Sequence, residues 1–376
     1  MNENEIVSAL REDNTDRLAE LFRKADTVRR EHVGDAVHLR GLVELSNICR
    51  RNCLYCGVRA GHSTIGRYRL TADEVMQSAR LAAEFGYGTL VMQAGEDFGL
   101  EGEFVADLIR RVKKEYALAV TLSLGERTEA DWRLWREAGA DRYLIRFETC
   151  NKDLFKVIHP PVGKDDLGFE GRIGALRVLR ELGYEIGSGV MIGIPGQTYA
   201  DLARDLLMFR ELDLDMIGNG PYLAHPETPL GRAAEVLAKN PTASIDERRR
   251  LTAEVGFDYP ISDESVPADN LTAFKVIALT RLLLPDANIP STTAIATNDK
   301  LHGRVTGLQS GANVVMPNLT PTRYRALYEI YPNKSATTES PEETHRTAIE
   351  QIIEAGRVPG TGPGGRIRRQ ASLGMR

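Results

Sequence analysis

The sequence predicts an α/β protein folded as a complete (β/α)8 barrel of the TIM type. Three observations carry this expectation. Short apolar runs alternate with amphipathic stretches of helical length, the pattern of parallel strands joined by crossover helices. There are eight such runs, the number that closes a barrel. Glycines stand where a helix must end before the next strand begins. An open, doubly wound sheet is the next reading.

Residues 1–40 read as one or two helices ahead of the first strand, covering the barrel bottom. Residues 41–356 read as the barrel. Its strands are expected at Leu42–Ser46, Thr89–Gln93, Ala119–Leu124, Arg142–Arg146, Ile186–Ile192, Met216–Gly218, Ile289–Thr293 and Asn313–Met316. Helical periods lie between them, at Thr71–Phe85, Glu103–Tyr116, Glu129–Ala138, Gly168–Leu182, Tyr199–Leu212, Asn270–Leu284 and Leu301–Ser310. Thr71 with Glu74 three residues on is a capping box. Gly86, Gly139 and Gly183 follow helical runs and suit helix C-caps. Residues 236–268 carry Pro241, Pro260, Pro267 and the run Arg248–Arg249–Arg250, and read as an irregular, exposed insertion. Residues 357–376, rich in Gly and Arg, read as a weakly ordered tail.

Composition narrows the function. The 376 residues are 42% hydrophobic and 27% charged, ordinary for a globular protein. Net charge is −5, which excludes nucleic-acid binding through bulk positive charge. No run of eighteen apolar residues is present, so no membrane-spanning helix is expected. Met1 to Asp16 is polar and acidic and lacks the basic start and apolar core of a signal peptide. A cytoplasmic location is expected. Of four cysteines, three fall within eight residues, a spacing for metal or redox chemistry rather than for disulfides.

Those three are Cys49, Cys53 and Cys56, spaced C-x3-C-x2-C directly after the first strand. Three thiolates from one loop can wrap a cubane iron–sulfur cluster. Three ligands on four irons leave one iron open, and an open position marks a reactive centre. Zinc is the competing metal and would need a fourth ligand, for which His62 is the candidate within ten residues. Buried, unliganded cysteines are the plainest reading.

The spacing, with aromatic Tyr55 before the last cysteine, resembles the signature of the radical S-adenosylmethionine (SAM) enzymes. In that superfamily the open iron chelates SAM, and an electron from the cluster cleaves it to a 5′-deoxyadenosyl radical. The cofactor carries the hard chemistry and the protein supplies position and exclusion. The chain from about Glu44 to Arg366 further resembles one branch, the HydE family of iron-iron hydrogenase maturases, related to biotin synthase and methylornithine synthase. The matching stretches are Cys49–Val58, Gln93–Asp97, Val120–Glu126, Ala140–Thr149, Gly189–Thr198, Gly218–Leu230, Leu279–Thr293, Gly311–Tyr331 and Gly356–Arg366. That family folds as full (β/α)8 barrels.

The resemblance assigns roles to strand ends, where barrel enzymes carry their chemistry. After the second strand, Gly95 lets the backbone approach a ligand closely, and the carboxylates of Glu96 and Asp97 can accept from the SAM ammonium. Thr121 and Ser123 would face the SAM and substrate region. Arg146 and Glu148, two apart and so on one face, suit the SAM carboxylate and ribose hydroxyls. Arg172 resembles a second carboxylate-binding arginine. Ile194, in the turn Met191–Thr198, would meet adenine. By resemblance alone, Arg142, Thr121, Thr292, Thr293, Met316 and Tyr328 line the substrate cavity. Tyr324, Tyr328 and Tyr331 also fit core packing at helical spacing. His225 receives no catalytic role, and Cys150 reads as a plain small residue.

One departure from some family members is that Tyr331 to His345 contains no cysteine, so a single cluster is expected. The implied activity is that of a HydE-type maturase. The adenosyl radical would attack the cysteine sulfur of an iron–cysteine complex carrying carbon monoxide and cyanide. Implied partners are this small metal-complex substrate, a ferredoxin- or flavodoxin-like electron donor and the other hydrogenase maturases, with neither nucleic acid nor membrane. Two rival readings are a methylornithine-synthase-like mutase on the same scaffold and a non-enzymatic iron–sulfur carrier.

Overall fold

The computed structural model describes residues 1–163, 166–261 and 264–368. Ten strands occur among them: β1 Ala36–Ser46, β2 Thr89–Ala94, β3 Ala119–Ser123, β4 Arg142–Leu144, β5 Glu185–Ser188, β6 Met191–Ile192, β7 Met216–Ile217, β8 Gly220–Pro221, β9 Val314–Val315 and β10 Val358–Gly360. The main sheet runs β10-β1-β2-β3-β4-β5-β7, with β9 also paired to β1. Every pairing is parallel. Strand β1 is the hub and is buried along almost its whole length, because a parallel sheet is covered on both faces.

Helices on the outside bury one apolar stripe each. Gly102–Tyr116 buries Val105, Ala106, Leu108, Ile109 and Val112, the i, i+3, i+4, i+7 spacing of a core-facing helix. The capping box forms at Thr71, whose side chain accepts from Glu74 N. Gly86, Gly139 and Gly183 take φ of 72°, 110° and 87°, the left-handed turn that returns the chain to a strand.

The expected complete eight-strand ring is met in part, as a curled parallel sheet. The expected seventh strand, Ile289–Thr293, is not a continuous ladder. Single parallel bridges, Met216 to Asn288 and Pro290 to Val314, cross between β7 and β9. Thr293 instead opens the helix Thr293–Asn298, with Thr292 at its N-cap. The expected strand Ile186–Ile192 breaks into β5 and β6, and β6 pairs with β8 as a short second sheet nearer the strand ends.

Three peripheral expectations need correction. The helices Glu3–Arg11 and Thr15–Val33 pack against outer helices, and residues 36–40 already belong to β1. Lys275 Nζ, on the outer helix Asn270–Leu283, donates to Leu10 O at 3.0 Å, and Arg210 Nη1, on the outer helix Tyr199–Glu211, donates to Met1 O. The floor belongs to the region expected as a loose tail: β10 pairs with β1, and the carbonyls of Pro363 and Gly364 accept bonds from Arg142 and Arg40. Residues 369–376 of that tail lie outside the described residues. The described residues of the 236–268 stretch are not irregular throughout. They include the helix Ile245–Glu254, and Phe257 and Ile261 are buried with Leu54 of the cysteine loop.

Candidate active site

The cysteine loop leaves β1 and is tied down from outside. Asn47 Nδ2 donates to the carbonyls of Gly66 and Leu327, both at 2.7 Å. Arg67 donates to the carbonyls of Asn47, Val58, Arg59 and His62. This one side chain satisfies four loop carbonyls that no regular ladder reaches. The turn after β2 presses on the same loop. Glu96 N donates to Cys49 Sγ at 3.3 Å, and a Cβ on Gly95 would strike the Ile48 carbonyl and sit 2.9 Å from Cys49 Cβ. Only glycine permits that approach.

All three cysteines are half-buried and free of disulfides. Burial pushes each thiol up, Cys53 to about 12, and each neighbouring sulfur disfavours ionisation of Cys56 further. Three thiols that resist ionisation become thiolates only when a metal draws off their charge. Among the described residues no three of His, Cys, Asp and Glu converge on one ion. A cubane takes each thiolate on a different iron, so the looser triangle suits it. His62, the candidate fourth zinc ligand, is engaged elsewhere: its Nδ1 lies 2.6 Å from the Gly57 carbonyl and its ring edge meets His225.

A buried charge network braces the loop, and it corrects one expectation. The Glu96 carboxylate is held by Arg50 and Arg51 at 2.7 and 2.9 Å. Asp97 is held by Arg69 at 2.6 and 2.8 Å and by Ser46 Oγ at 2.7 Å. Both carboxylates are therefore matched to arginines of the cysteine loop and the stretch after it. Arg172 is also taken: Nε donates to Glu126 at 2.6 Å and Nη1 to the Arg146 carbonyl at 2.8 Å. It positions Arg146 from behind and does not line the cavity. Tyr55 Oη meets His159 Nε2 at 2.9 Å.

Inside the sheet lies a cavity of about 310 Å³. Of the predicted residues, Tyr55, Cys56, Thr121, Ser123, Arg146, Glu148, Thr292, Thr293 and Met316 form its wall. Its lining carries buried polar atoms with no hydrogen-bond partner: Thr121 Oγ1, Arg146 Nε, Tyr222 Oη and Arg40 Nε. Buried polar groups are nearly always satisfied, so four orphans around one void mark the place of a polar ligand. Arg146 Nη2 donates to the Val190 carbonyl at 2.7 Å and stands 3.0 Å from Glu148 Oε2. Glu148 takes φ 63°, a strained value for a side-chain residue. Burial raises its carboxyl pKa, opposed by Arg146 and Arg172.

Ile194, Tyr328 and Arg142 also lie off this wall. Ile194 is buried in a separate apolar cluster with Leu54 and Tyr222. Tyr328 is buried behind the wall, its Oη accepting from Gln93 Nε2 at 3.2 Å. Arg142 is at the other end of the sheet: it opens β4, binds Glu185 at 2.6 Å, Thr89 Oγ1 at 3.1 Å and the Pro363 carbonyl at 2.9 Å. It is a floor residue, because parallel strands carry substrate groups at their C-terminal ends.

The cavity also holds residues that the sequence reading missed. Glu44 and Lys334 form a fully buried ion pair in its wall. Asn318 Nδ2 donates to the other Glu44 oxygen at 3.2 Å. A glutamate within the apolar run Leu42–Leu45 was a readable sign of a buried charge. Nothing in the sequence near Lys334 named it as the partner. Arg40 closes the bottom, and burial lowers its pKa to about 9.

A cysteine triplet at the mouth of such a cavity, at the C-terminal ends of parallel strands, defines a radical SAM enzyme. The family model described as the radical SAM superfamily matches residues 43–209. The [FeFe] hydrogenase maturase subunit HydE of Thermotoga maritima is 43% identical over 348 residues, covering 93% of this chain and 89% of that protein. The chain belongs to the HydE family. The 3-methylornithine synthase of Methanosarcina acetivorans is 25% identical over 84% of this chain and 79% of that protein. The crystal structure of methylornithine synthase shares the fold, with a TM-score of 0.74 at 23% identity over 96% of this chain and 94% of that one.

Proposed function

We propose that this chain is a HydE-type maturase acting on a small iron–cysteine carbonyl and cyanide complex during assembly of the iron-iron hydrogenase active site. The observation that carries the reading is the cysteine triplet set beside a cavity rimmed with orphaned polar atoms. Cys49, Cys53 and Cys56 would hold one [4Fe-4S] cluster. When bound, the cluster and SAM supply a 5′-deoxyadenosyl radical. Arg146, held in place by Arg172, would bind the SAM carboxylate, and Glu148 the ribose hydroxyls. The backbone of Gly95, Glu96 and Asp97 would meet the methionine end. Thr121, Ser123, Thr292, Thr293 and Met316 would surround the substrate below.

The mainly apolar surface of the cavity supports exclusion of water from the radical. We also read the bridges at Asn288 and Pro290 as closing an eight-membered ring around the cavity. Among the described residues no helix is long and apolar enough to cross a membrane. A reducing cytoplasm suits the free cysteines.

The deciding experiment is anaerobic maturation. Apo-hydrogenase, the other maturases, SAM and the reduced, reconstituted protein are combined, and SAM cleavage is measured on the same preparation. Hydrogen evolution that depends on this protein is expected. SAM cleavage without maturation would overturn the substrate assignment and turn attention to methylornithine synthesis from lysine.

A further inference from the structure

We propose that a second, smaller cavity, outside the one that would hold substrate, binds a short-chain monocarboxylate on Arg304 and Thr344. This cavity measures about 110 Å³. Its wall takes Arg304 from the helix Gly303–Gln309, and Thr344 and Gln351 from the helix Pro341–Glu354. It backs onto the main cavity, since Leu42, Thr293, Met316 and Lys334 belong to both walls. None of the three loop cysteines reaches it, so the site stands apart from the function proposed above.

Two buried polar atoms of this wall have no hydrogen-bond partner, Arg304 Nε and Thr344 Oγ1. Such atoms are nearly always satisfied, so a pair of them beside one void calls for a polar occupant. The guanidinium is already oriented, because Nη1 donates to Gln351 Oε1 at 2.9 Å. That bond leaves the edge formed by Nε and Nη2, the fork that a carboxylate fits in bidentate fashion. Among the described residues no carboxylate pairs with Arg304 or with Lys300, the exposed cation of the same wall. Glu339 is the opposing charge there, and its Oε2 accepts from Thr338 N at 3.1 Å. Lys334 is spent on Glu44. Two unmatched cations against one carboxylate suit a single negative charge better than a dianion. The rest of the lining includes Ala296, Met316 and Pro317, which would take an aliphatic tail. The space equals the liquid volume of about four waters, which limits the ligand to a few heavy atoms.

The wall around these groups is built without the ligand. Arg325 Nη1 donates to the Ala336 and Glu339 carbonyls at 3.2 and 2.7 Å. Ser335 N donates to Thr297 Oγ1 at 3.1 Å. Ala336 is held at φ 62°, a left-handed value that costs energy in a residue other than glycine and marks a segment fixed by its surroundings. A carboxylate on Arg304 would therefore meet a preformed site and would have little loop to order on binding. It would lie behind Lys334, whose Nζ holds Glu44 in the wall of the main cavity.

The test is a titration of the anaerobic, reconstituted protein with propionate in a chloride buffer, followed by saturation-transfer nuclear magnetic resonance of the propionate methyl group. Saturable binding is expected, with sulfate binding at least about tenfold more weakly. Arg304→Gln should weaken propionate about tenfold or more, the range of one charge-assisted contact. Thr344→Val, which keeps the side-chain shape, should weaken it about fivefold and carries the test if the arginine variant does not fold. Excess SAM should leave the propionate affinity unchanged, because SAM belongs to the other cavity. Absence of saturable binding would leave a cavity filled by water and overturn the proposal. Displacement of propionate by SAM, or an affinity untouched by both substitutions, would overturn it too by placing the anion elsewhere.

Discussion

Arg142 Nη2 donates to the Pro363 carbonyl at 2.9 Å, joining the fourth strand of the sheet to a segment 221 residues away. The same guanidinium holds Glu185 and Thr89, so one buried side chain ties two further strands to the segment beneath the sheet. Arg142→Ala should therefore act on stability. Loss of its charged hydrogen bonds should cost about 3 kcal/mol. Anaerobic urea unfolding should report that loss, while the KM for SAM of the folded protein stays as in the wild type. A raised KM at unchanged stability would return Arg142 to the ligand site.

Arg146 stands in the cavity with Nε unpartnered. Arg146→Ala should raise the KM for SAM about ten- to hundredfold, the range of one charge-assisted bond. The cluster absorbance should be retained. A KM within twofold of the wild type would remove this residue from SAM binding.

The cluster ligands admit a sharper test. Cys53→Ala should give no 5′-deoxyadenosine and lose the reduced-cluster electron paramagnetic resonance signal. Cys150→Ala should keep both, because Cys150 packs at the edge of the core, outside the cavity wall.

The buried pair of Glu44 and Lys334 has a cost when broken. Lys334→Met leaves a buried carboxylate without its cation and should destabilise the fold by about 3–5 kcal/mol. The double variant Glu44→Gln with Lys334→Met should recover most of that. Equal stabilities of the two variants would mean that the pair is not coupled.

Asp205 gives a pH signature. It is fully buried, accepts from Cys150 N at 2.5 Å, and burial raises its carboxyl from an ordinary 3.8 to about 7. The folded chain then binds a proton that the unfolded chain has released between those values. Stability should fall as pH rises from about 4 to about 7, by up to about 1.4 kcal/mol per pH unit from this group. Asp205→Asn should flatten that slope. Denaturant midpoints at pH 5 and pH 8 for both proteins decide it.

What the sequence made legible was local. The cysteine loop was readable because three ligands lie within eight residues. Arg146 and Glu148 were readable because a strand repeats every two residues. Arg142 was misassigned although strand polarity alone puts the start of a strand at the opposite end from the chemistry. The pairing of Glu96 and Asp97 was not legible for another reason. Their partners Arg50, Arg51 and Arg69 come from a different loop, and only the fold shows that those charges are already used. Lys334 and Glu44, 290 residues apart, were invisible as a pair. The helix Ile245–Glu254 was hidden by its mostly polar sequence, whose anchoring to the core comes from Phe257 and Ile261 after it.

The floor contact between Arg40 and Gly364 has a consequence for biosynthesis. Its two ends are 324 residues apart, and the first strand also pairs with β9 and β10. The hub strand leaves the ribosome early and waits for partners made long afterwards. Until then the nascent chain holds its cysteines on a loop above a tube open at the bottom. Contacts of such span slow folding, and domains fold as units once their last element is available. A polypeptide released before residue 358 carries the three loop cysteines and every cavity threonine, yet lacks the strand that pairs with the lower end of the hub strand.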